Sequence, residues 1–196
     1  MKLLIATRNP GKLREYKELL QDLPFALTYL PEEGIDLEVA ETGQSFAENA
    51  RLKARAYARA SGLPTLADDS GLEVDALGGA PGVRTARYAG SGASDEERYR
   101  LLLKNMEGVP WERRTARFRC ALALATPEGE VHLTEGVKEG IIACEARGEH
   151  GFGYDPVFYL PEYGKTMAEL PLEEKNRLSH RAQAVGKMKE ILKRFI

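Results

Sequence analysis

The sequence has little cysteine, no long apolar run and no excess of charge of either sign. Its two cysteines, Cys120 and Cys144, are not spaced as metal ligands, and apolar neighbours surround both. We expect buried thiols in a reducing compartment. No apolar stretch is long enough to cross a bilayer, and the first residues do not resemble a signal peptide. These absences predict a soluble, cytoplasmic protein without a membrane partner.

The charge is balanced, with 28 Lys and Arg against 30 Asp and Glu and a formal net charge of −2. Proteins that bind nucleic acid polymers have a strongly basic surface, so we expect no such partner and only a local phosphate site. A chain of 196 residues can bury a core of its own without disulfide or metal support. We therefore predict a single domain over residues 1–196.

The periodicity of apolar residues alternates between strand and helix patterns in the first half of the chain, which predicts an α/β fold. After the second predicted helix, a short strand leads into the acidic pair of "TLADDSGLEV". A long loop rich in glycine comes next. The predicted elements of the first half are a strand over 2–6, a helix over about 11–23, a strand over 25–30 and a helix over 42–61.

The second half contains a helix start, a hairpin and a final helix. Ser94 and Glu97 have the spacing of a capping box, which predicts a helix beginning there. Residues 114–126 and 131–142 alternate on either side of "TPEGE", as in a long β-hairpin. One continuous helix is predicted from about Pro171 to the end of the chain.

The segment "ATRNPGK" lies between the first strand and the first helix and shares only its last two residues with a mononucleotide phosphate loop. That loop needs an initial Gly and a Ser or Thr after the Lys, whereas Ala6 and Leu13 occupy these positions. A helix N-terminus still favours an anion through its free N–H groups, and Thr7, Asn9 and Lys12 add side-chain donors. The alternative is an ordinary strand-to-helix turn.

Asp68, Asp69 and Ser70 follow a short strand, at the kind of strand end where α/β proteins place their sites. Adjacent carboxylates repel each other unless a cation or a proton lies between them. Oxygen ligands with no softer ligand nearby favour magnesium or manganese, and Glu41, ahead of the second helix, is a candidate third ligand. The alternatives are a solvated turn at the aspartates and a favourable helix-dipole contact for Glu41.

Two further clusters contain polar and aromatic side chains. In "GFGYDPVF" an aromatic residue between glycines suits stacking on a flat base, although both aromatics could equally lie in the core. In "EEKNRLSHRAQ" the residues Lys175 and Ser179 are four apart and would share a helix face, with His180 and Arg181 beside them. Taken alone, this second cluster is also typical of a charged helix surface.

These segments together resemble the inosine triphosphate pyrophosphatase family, the Ham1-like house-cleaning enzymes. The resemblance is carried by "TRNPGK", "ETGQSFAENARLKA", "ADDSGLEVDALGGAPGVRTARY", "GFGYDPVF" and "KNRLSHRAQA", which span essentially the whole chain. It implies an elongated α/β fold of two lobes, with a long mixed sheet flanked by helices, a nucleotide cleft between the lobes, and a homodimer. It also implies Mg²⁺-dependent hydrolysis of abnormal purine nucleoside triphosphates (ITP, dITP and XTP) to the monophosphate and pyrophosphate, with Mn²⁺ as a substitute metal.

The resemblance also implies roles for individual residues. Asp69 is similar to the family's general base and forms the metal site with Asp68 and Glu41. His180 and Arg181 are similar to the residues that read the oxygen at position six of the base. The residues implied to clamp the triphosphate are Thr7, Asn9, Lys12, Lys53 and Lys175. The full set implied to bind substrate is Thr7, Arg8, Asn9, Pro10, Gly11, Lys12, Lys53, Ser70, Phe152, Gly153, Tyr154, Asp155, Lys175, Ser179, His180 and Arg181.

Three other functions are alternatives to this one. A phosphatase with an aspartyl nucleophile usually has two aspartates separated by one residue, whereas Asp68 and Asp69 are adjacent. A non-catalytic purine nucleotide sensor would keep the lysines and the base pocket but would not need the acidic cluster. Maf-type pyrophosphatases lack the "SHR" pattern of the last predicted helix.

Overall fold

The computed structural model describes residues 1–195. The strands are β1 (Lys2–Ile5), β2 (Ala26–Tyr29), β3 (Thr65–Val74), β4 (Thr115–Ala125), β5 (Val131–Ile142), β6 (Phe158–Leu160) and β7 (Lys165–Thr166). The α-helices are α1 (Pro10–Leu19), α2 (Phe46–Ser61), α3 (Asp95–Asn105), α4 (Leu172–Leu178) and α5 (His180–Leu192). The predicted α/β class is therefore confirmed.

The strands form one mixed sheet in the order β2-β1-β3-β4-β5-β6-β7. β1 pairs in parallel with both β2 and β3, with Ile5 opposite Tyr29 on one side and Leu66 on the other. β6 pairs antiparallel with β5 and β7. The predicted hairpin is present, because β4 and β5 are neighbours and the Thr126 N–H closes their turn by donating to the Glu130 carbonyl at 2.9 Å.

The chain divides into two compact units, each with its own hydrophobic core. The first unit contains Met1–Asp69, Cys120–Gly136 and the described chain from His180 onwards. The second contains Ser70–Arg119 and Val137–Ser179. The core of the first unit is built on Leu3, Ile5, Tyr16, Leu20, Leu122, Val185 and Met188. The core of the second unit is built on Leu72, Leu102, Met106, Phe118, Phe158, Leu160 and Met167.

Side-chain caps decide where α2 and α3 begin. The Ser45 hydroxyl accepts the Glu48 N–H at 3.2 Å, so α2 starts four residues later than predicted. The helix ends as predicted at Gly62, whose φ of 66° is left-handed. The capping box of Ser94 and Glu97 is present, and α3 begins directly after it.

Three further predicted elements differ from the structure. α1 ends at Leu19, four residues before its predicted end. β3 does not stop at the acidic pair, because Leu72 and Val74 continue its buried face; the aspartates lie inside the strand. The predicted last helix is two helices, because Ser179 has an extended backbone (φ −69°, ψ 158°) between α4 and α5. Lys175 and Ser179 were predicted to share a helix face, but Ser179 lies outside α4 and they do not.

The prediction for the cysteines is half wrong. Cys120 lies inside β4 and is buried, but Cys144 is exposed because it follows the end of β5, where the chain leaves the sheet. Within residues 1–195 there is no helix of the length and apolar character that crossing a membrane requires.

Candidate active site

Asp68 and Asp69 are consecutive residues of β3, and both are buried. Successive side chains of a strand point to opposite faces of the sheet. The two carboxylates accordingly have different partners. Asp68 contacts Lys12 and Arg181, whereas Asp69 contacts Asn49 and Lys53.

The Asp68 carboxylate is surrounded by cations. Its Oδ2 lies 2.8 Å from Lys12 Nζ, in the first turn of α1, and 3.4 Å from a terminal nitrogen of Arg181. Burial raises the pKa of Asp68, but Lys12, Arg181 and Lys53 outweigh burial and hold this pKa well below its usual range. Asp68 is therefore a permanent negative charge at any pH near neutrality.

Arg181 is almost completely buried and also pairs with Glu15, a residue to which none of the sequence motifs points. Its guanidinium carbon lies 5.8 Å from the centroid of the Tyr16 ring. Burial opposes the charge of Arg181, yet Glu15 and then Asp68 raise its pKa further above its ordinary value. The predicted base reader thus belongs to a buried ion-pair network in this structure.

The Asp69 carboxylate has a weaker set of partners. Asn49 Nδ2 donates to its Oδ2 at 2.9 Å, and Lys53 Nζ lies 3.9 Å from its Oδ1. Burial is the largest influence and raises the pKa of Asp69, against the opposing effects of Lys53 and the Asn49 hydrogen bond. Neighbouring carboxylates whose pKa values move in opposite directions are typical of sites that use one as a fixed charge and the other to exchange a proton.

Asn49 joins Asp69 to the segment that carries Glu41. While its Nδ2 donates to Asp69, its Oδ1 accepts the Gly43 N–H at 2.8 Å. Glu41 Oε1 lies 2.5 Å from Lys53 Nζ. Asn49 and Lys53 are four residues apart on α2 and so lie on one helix face, a spacing from which Asn49 could have been found.

The segment between β1 and α1 is a turn closed by its own side chains, but Lys12 is not solvated as in an ordinary strand-to-helix turn, because it pairs with Asp68. Thr7 Oγ1 accepts the Asn9 N–H at 3.2 Å, and Asn9 Oδ1 caps α1 by accepting the Lys12 N–H at 3.1 Å. Pro10 occupies the first helical position. Arg8 is exposed, and its guanidinium donates to the Ile35 carbonyl at 3.1 Å, which links it to the segment after β2.

In the second unit, the structure brings together Phe152, Asp155 and Lys175. Asp155 Oδ2 lies 2.5 Å from Lys175 Nζ and also accepts the Phe152 N–H at 2.9 Å. The Lys175 ammonium lies 4.6 Å from the centroid of the half-buried Phe152 ring. Tyr154 belongs to the core, where it is 2% exposed and donates to the Thr85 carbonyl at 2.8 Å.

The remaining residues predicted to bind substrate are buried or half-buried. Gly11 is buried in α1, and Ser70 and Gly153 are half-buried. Ser179 and His180 are buried at the junction of α4 and α5.

Only part of the predicted metal set is assembled. No group of three His, Cys, Asp or Glu side chains among residues 1–195 is arranged to hold a metal ion, because β3 directs Asp68 and Asp69 to different partners. Glu41 and Asp69 do face a common cation, the Lys53 ammonium. An all-oxygen pair that already faces a cation fits a hard divalent metal ion.

A model of the Ham1 family matches residues 3–191. The chain belongs to the Ham1 family. It is 52% identical over 195 residues to a dITP/XTP pyrophosphatase of Desulforamulus reducens, with 100% of this chain and 97% of the relative covered. It is 50% identical to a dITP/XTP pyrophosphatase of Bacillus subtilis, with 96% of each chain covered.

Solved structures of Ham1 proteins are similar to this chain. For a HAM1 protein from Coxiella burnetii the TM-score is 0.89 at 43% identity, over 99% of both chains. For the Staphylococcus aureus Ham1 protein it is 0.88 at 40% identity, over 100% of both. Membership of the Ham1 family confirms the resemblance inferred from the motifs. The roles of individual residues stay predictions.

Proposed function

We propose that this protein hydrolyses purine nucleoside triphosphates with abnormal bases, ITP, dITP and XTP, to the monophosphate and pyrophosphate. The observation that carries the proposal is the buried Asp68–Asp69 pair, in which Asp68 lies beside Lys12 and Asp69 lies beside Lys53. The relatives described as dITP/XTP pyrophosphatases support the choice of substrate. We also propose the cytoplasm as its location.

Asp69 acts as the general base in this proposal. A base must be unprotonated at neutral pH yet basic enough to accept a proton from water, and a raised carboxyl pKa improves that match. The Asn49 amide fixes one carboxylate oxygen at 2.9 Å, which leaves the other toward Lys53. Asp69 takes a proton from the attacking water, and pyrophosphate leaves when the α-phosphorus is attacked.

Lys12 and Lys53 bind the phosphates, together with the N-terminus of α1. A triphosphate carries about four negative charges at neutral pH, and phosphoryl transfer depends mainly on positioning and on neutralising that charge. Both lysines already lie against carboxylates, so they are held in place before substrate arrives. Thr7 and Asn9 complete the turn that orients this helix end.

Glu41 and Asp69 are the residues proposed to hold Mg²⁺, or Mn²⁺ in its place. When bound, such a cation would neutralise phosphate charge and increase the acidity of a nearby water. Asp68, the third residue of the predicted metal set, instead pairs with Lys12, one of the two proposed phosphate ligands.

The base and sugar are proposed to contact Phe152 and Asp155, with His180 and Arg181 reading the oxygen at position six. Hypoxanthine and xanthine offer an acceptor there, which a guanidinium can bond, whereas adenine offers a donor. A buried donor that faces another donor costs about 1–3 kcal/mol. The ion pairs of Arg181 with Glu15 and Asp68 fix the position of its guanidinium, which supports this assignment. Lys175 lies on Asp155 and over Phe152 and is proposed to bind substrate from there.

The test is product identification with purified protein, ITP and Mg²⁺, with ATP as the comparison substrate. We expect IMP and pyrophosphate in equal amounts, slower turnover of ATP by about a hundredfold or more, and no product after a chelator is added. IDP and orthophosphate as first products would contradict the proposal. Binding of ITP without any product would support a sensor instead.

A further inference from the structure

The turn that carries Phe152 and Asp155 is held partly by its own atoms. The Phe152 N–H donates to Asp155 Oδ2 at 2.9 Å, and the Asp155 N–H donates to the Phe152 carbonyl at 3.3 Å. Gly153, between them, has a φ of 65°. Glycine has more accessible backbone conformations than other residues, so a contact from outside the turn is needed to select one.

Asp95, the first residue of α3, makes such a contact. Its Oδ2 accepts the Gly153 N–H at 2.7 Å. Its other carboxylate oxygen accepts a bond from Arg98, which also donates to the Ala86 carbonyl at 2.7 Å. Asp95 thus joins the turn to α3 and, through Arg98, to the loop before that helix.

The Asp95 side chain is not needed to cap α3. Ser94 and Glu97 already form the capping box, and the Asp95 side chain is 42% exposed, so its removal leaves no cavity. Glu96 is also an acidic residue of the first turn, but it pairs with Arg100 on the surface. Glu96 therefore provides a matched control for the loss of negative charge at this helix end.

We propose that Asp95 is a positioning residue, which through the Gly153 amide holds the turn in the conformation that binds the nucleoside part of the substrate. This inference rests on the proposed function, because the assignment of Phe152 and Asp155 to base and sugar belongs to that proposal. A hydrogen bond to an ionised acceptor is stronger than one between neutral groups. Without it, substrate binding has to order the turn, which weakens binding but leaves the reacting atoms unchanged.

The experiment compares wild type, Asp95→Ala, Asp95→Asn and Glu96→Ala with ITP and Mg²⁺. We expect Asp95→Ala to raise KM about tenfold while kcat stays within about threefold. Glu96→Ala should change neither, and Asp95→Asn should recover most of the loss because its amide oxygen can accept the Gly153 N–H. Inhibition by inorganic tripolyphosphate, which has no nucleoside part, should be the same for all four proteins.

Equal KM values for Asp95→Ala and Glu96→Ala in an active enzyme would overturn the inference, as would weaker inhibition by tripolyphosphate in Asp95→Ala alone. An Asp95→Ala protein that fails to fold would also overturn it, because Asp95 would then be a residue of general stability. A wild-type protein that does not hydrolyse ITP would overturn the proposed function instead.

Discussion

At the scale of single residues, the environment of Asp69 makes the sharpest prediction for catalysis. The Asp69→Asn variant should keep its fold, because the amide has the size of the carboxylate, but should lose turnover of ITP by about a hundredfold or more, the usual scale for loss of a general base. Asp75→Asn is the control, since Asp75 lies just beyond β3 and pairs with Arg117 on the surface. Turnover of Asp69→Asn close to that of this control would show that Asp69 is not the base.

Glu15 makes a prediction for stability. Arg181 is buried with Glu15 and Asp68 as ionic partners, and removal of one partner from a buried ion pair costs about 3 kcal/mol or more. We expect Glu15→Gln to lower the free energy of unfolding by about that amount in chemical denaturation. Glu18→Gln, on the exposed face of the same helix, should change it by no more than about 0.5 kcal/mol. Equal losses in the two variants would mean that Glu15 does not stabilise Arg181.

At the scale of elements, the start of α5 depends on a glycine in β5. A Cβ added at Gly136 would lie 2.0 Å from the His180 carbonyl oxygen and 2.8 Å from the Ala184 nitrogen. Thr134, on the same strand, donates to the Ala184 carbonyl at 2.8 Å. The backbone of β5 therefore lies directly against the helix that begins with His180 and Arg181.

Gly136→Ala should accordingly force these elements apart, at a cost of about 1–3 kcal/mol in unfolding free energy, and should lower ITP turnover by moving Arg181. Gly186→Ala is the control on the same helix, because nothing lies within 4 Å of its added Cβ. It should be neutral or stabilise the protein by up to about 1 kcal/mol. A Gly136→Ala protein as stable and active as Gly186→Ala would contradict this account of the contact.

The sequence predicts elements well where a local signal marks their ends. The capping box at Ser94 and the glycine after α2 are such signals, and both boundaries are confirmed. The break at Ser179 was missed because the apolar spacing continues through it, and only its buried, extended backbone separates α4 from α5. The length of β3 was missed because the acidic pair interrupts its apolar pattern without ending the strand.

The residues of the candidate site likewise divide into those that local motifs reveal and those that depend on distant parts of the chain. Lys12, Lys53 and the two aspartates could be found from motifs, and the spacing of Asn49 and Lys53 on one helix could have added Asn49. Glu15 could not be found, because its partner Arg181 lies 166 residues away in the chain and nothing local distinguishes Glu15 from a solvated helix residue. The different environments of Asp68 and Asp69 likewise depend on which elements pack against each face of β3.

At the scale of the whole molecule, the homodimer implied by the family stays a prediction. Light scattering coupled to size-exclusion chromatography should give about twice the chain mass of 21.7 kDa at micromolar concentration. A mass equal to one chain at every concentration tested would contradict the prediction. The balanced charge of the chain, −2 overall, agrees with a small-molecule substrate and predicts no binding to nucleic acid polymers.

The central claim is that water attacks the α-phosphorus of an abnormal purine triphosphate, so that the monophosphate and pyrophosphate are the products. The measurement that tests it most directly is hydrolysis of ITP in water labelled with heavy oxygen, followed by mass spectrometry of both products. We expect one labelled oxygen in IMP and none in pyrophosphate, because the new bond forms at the α-phosphorus. Label in pyrophosphate with unlabelled IMP would place the attack on the β-phosphorus and contradict the account.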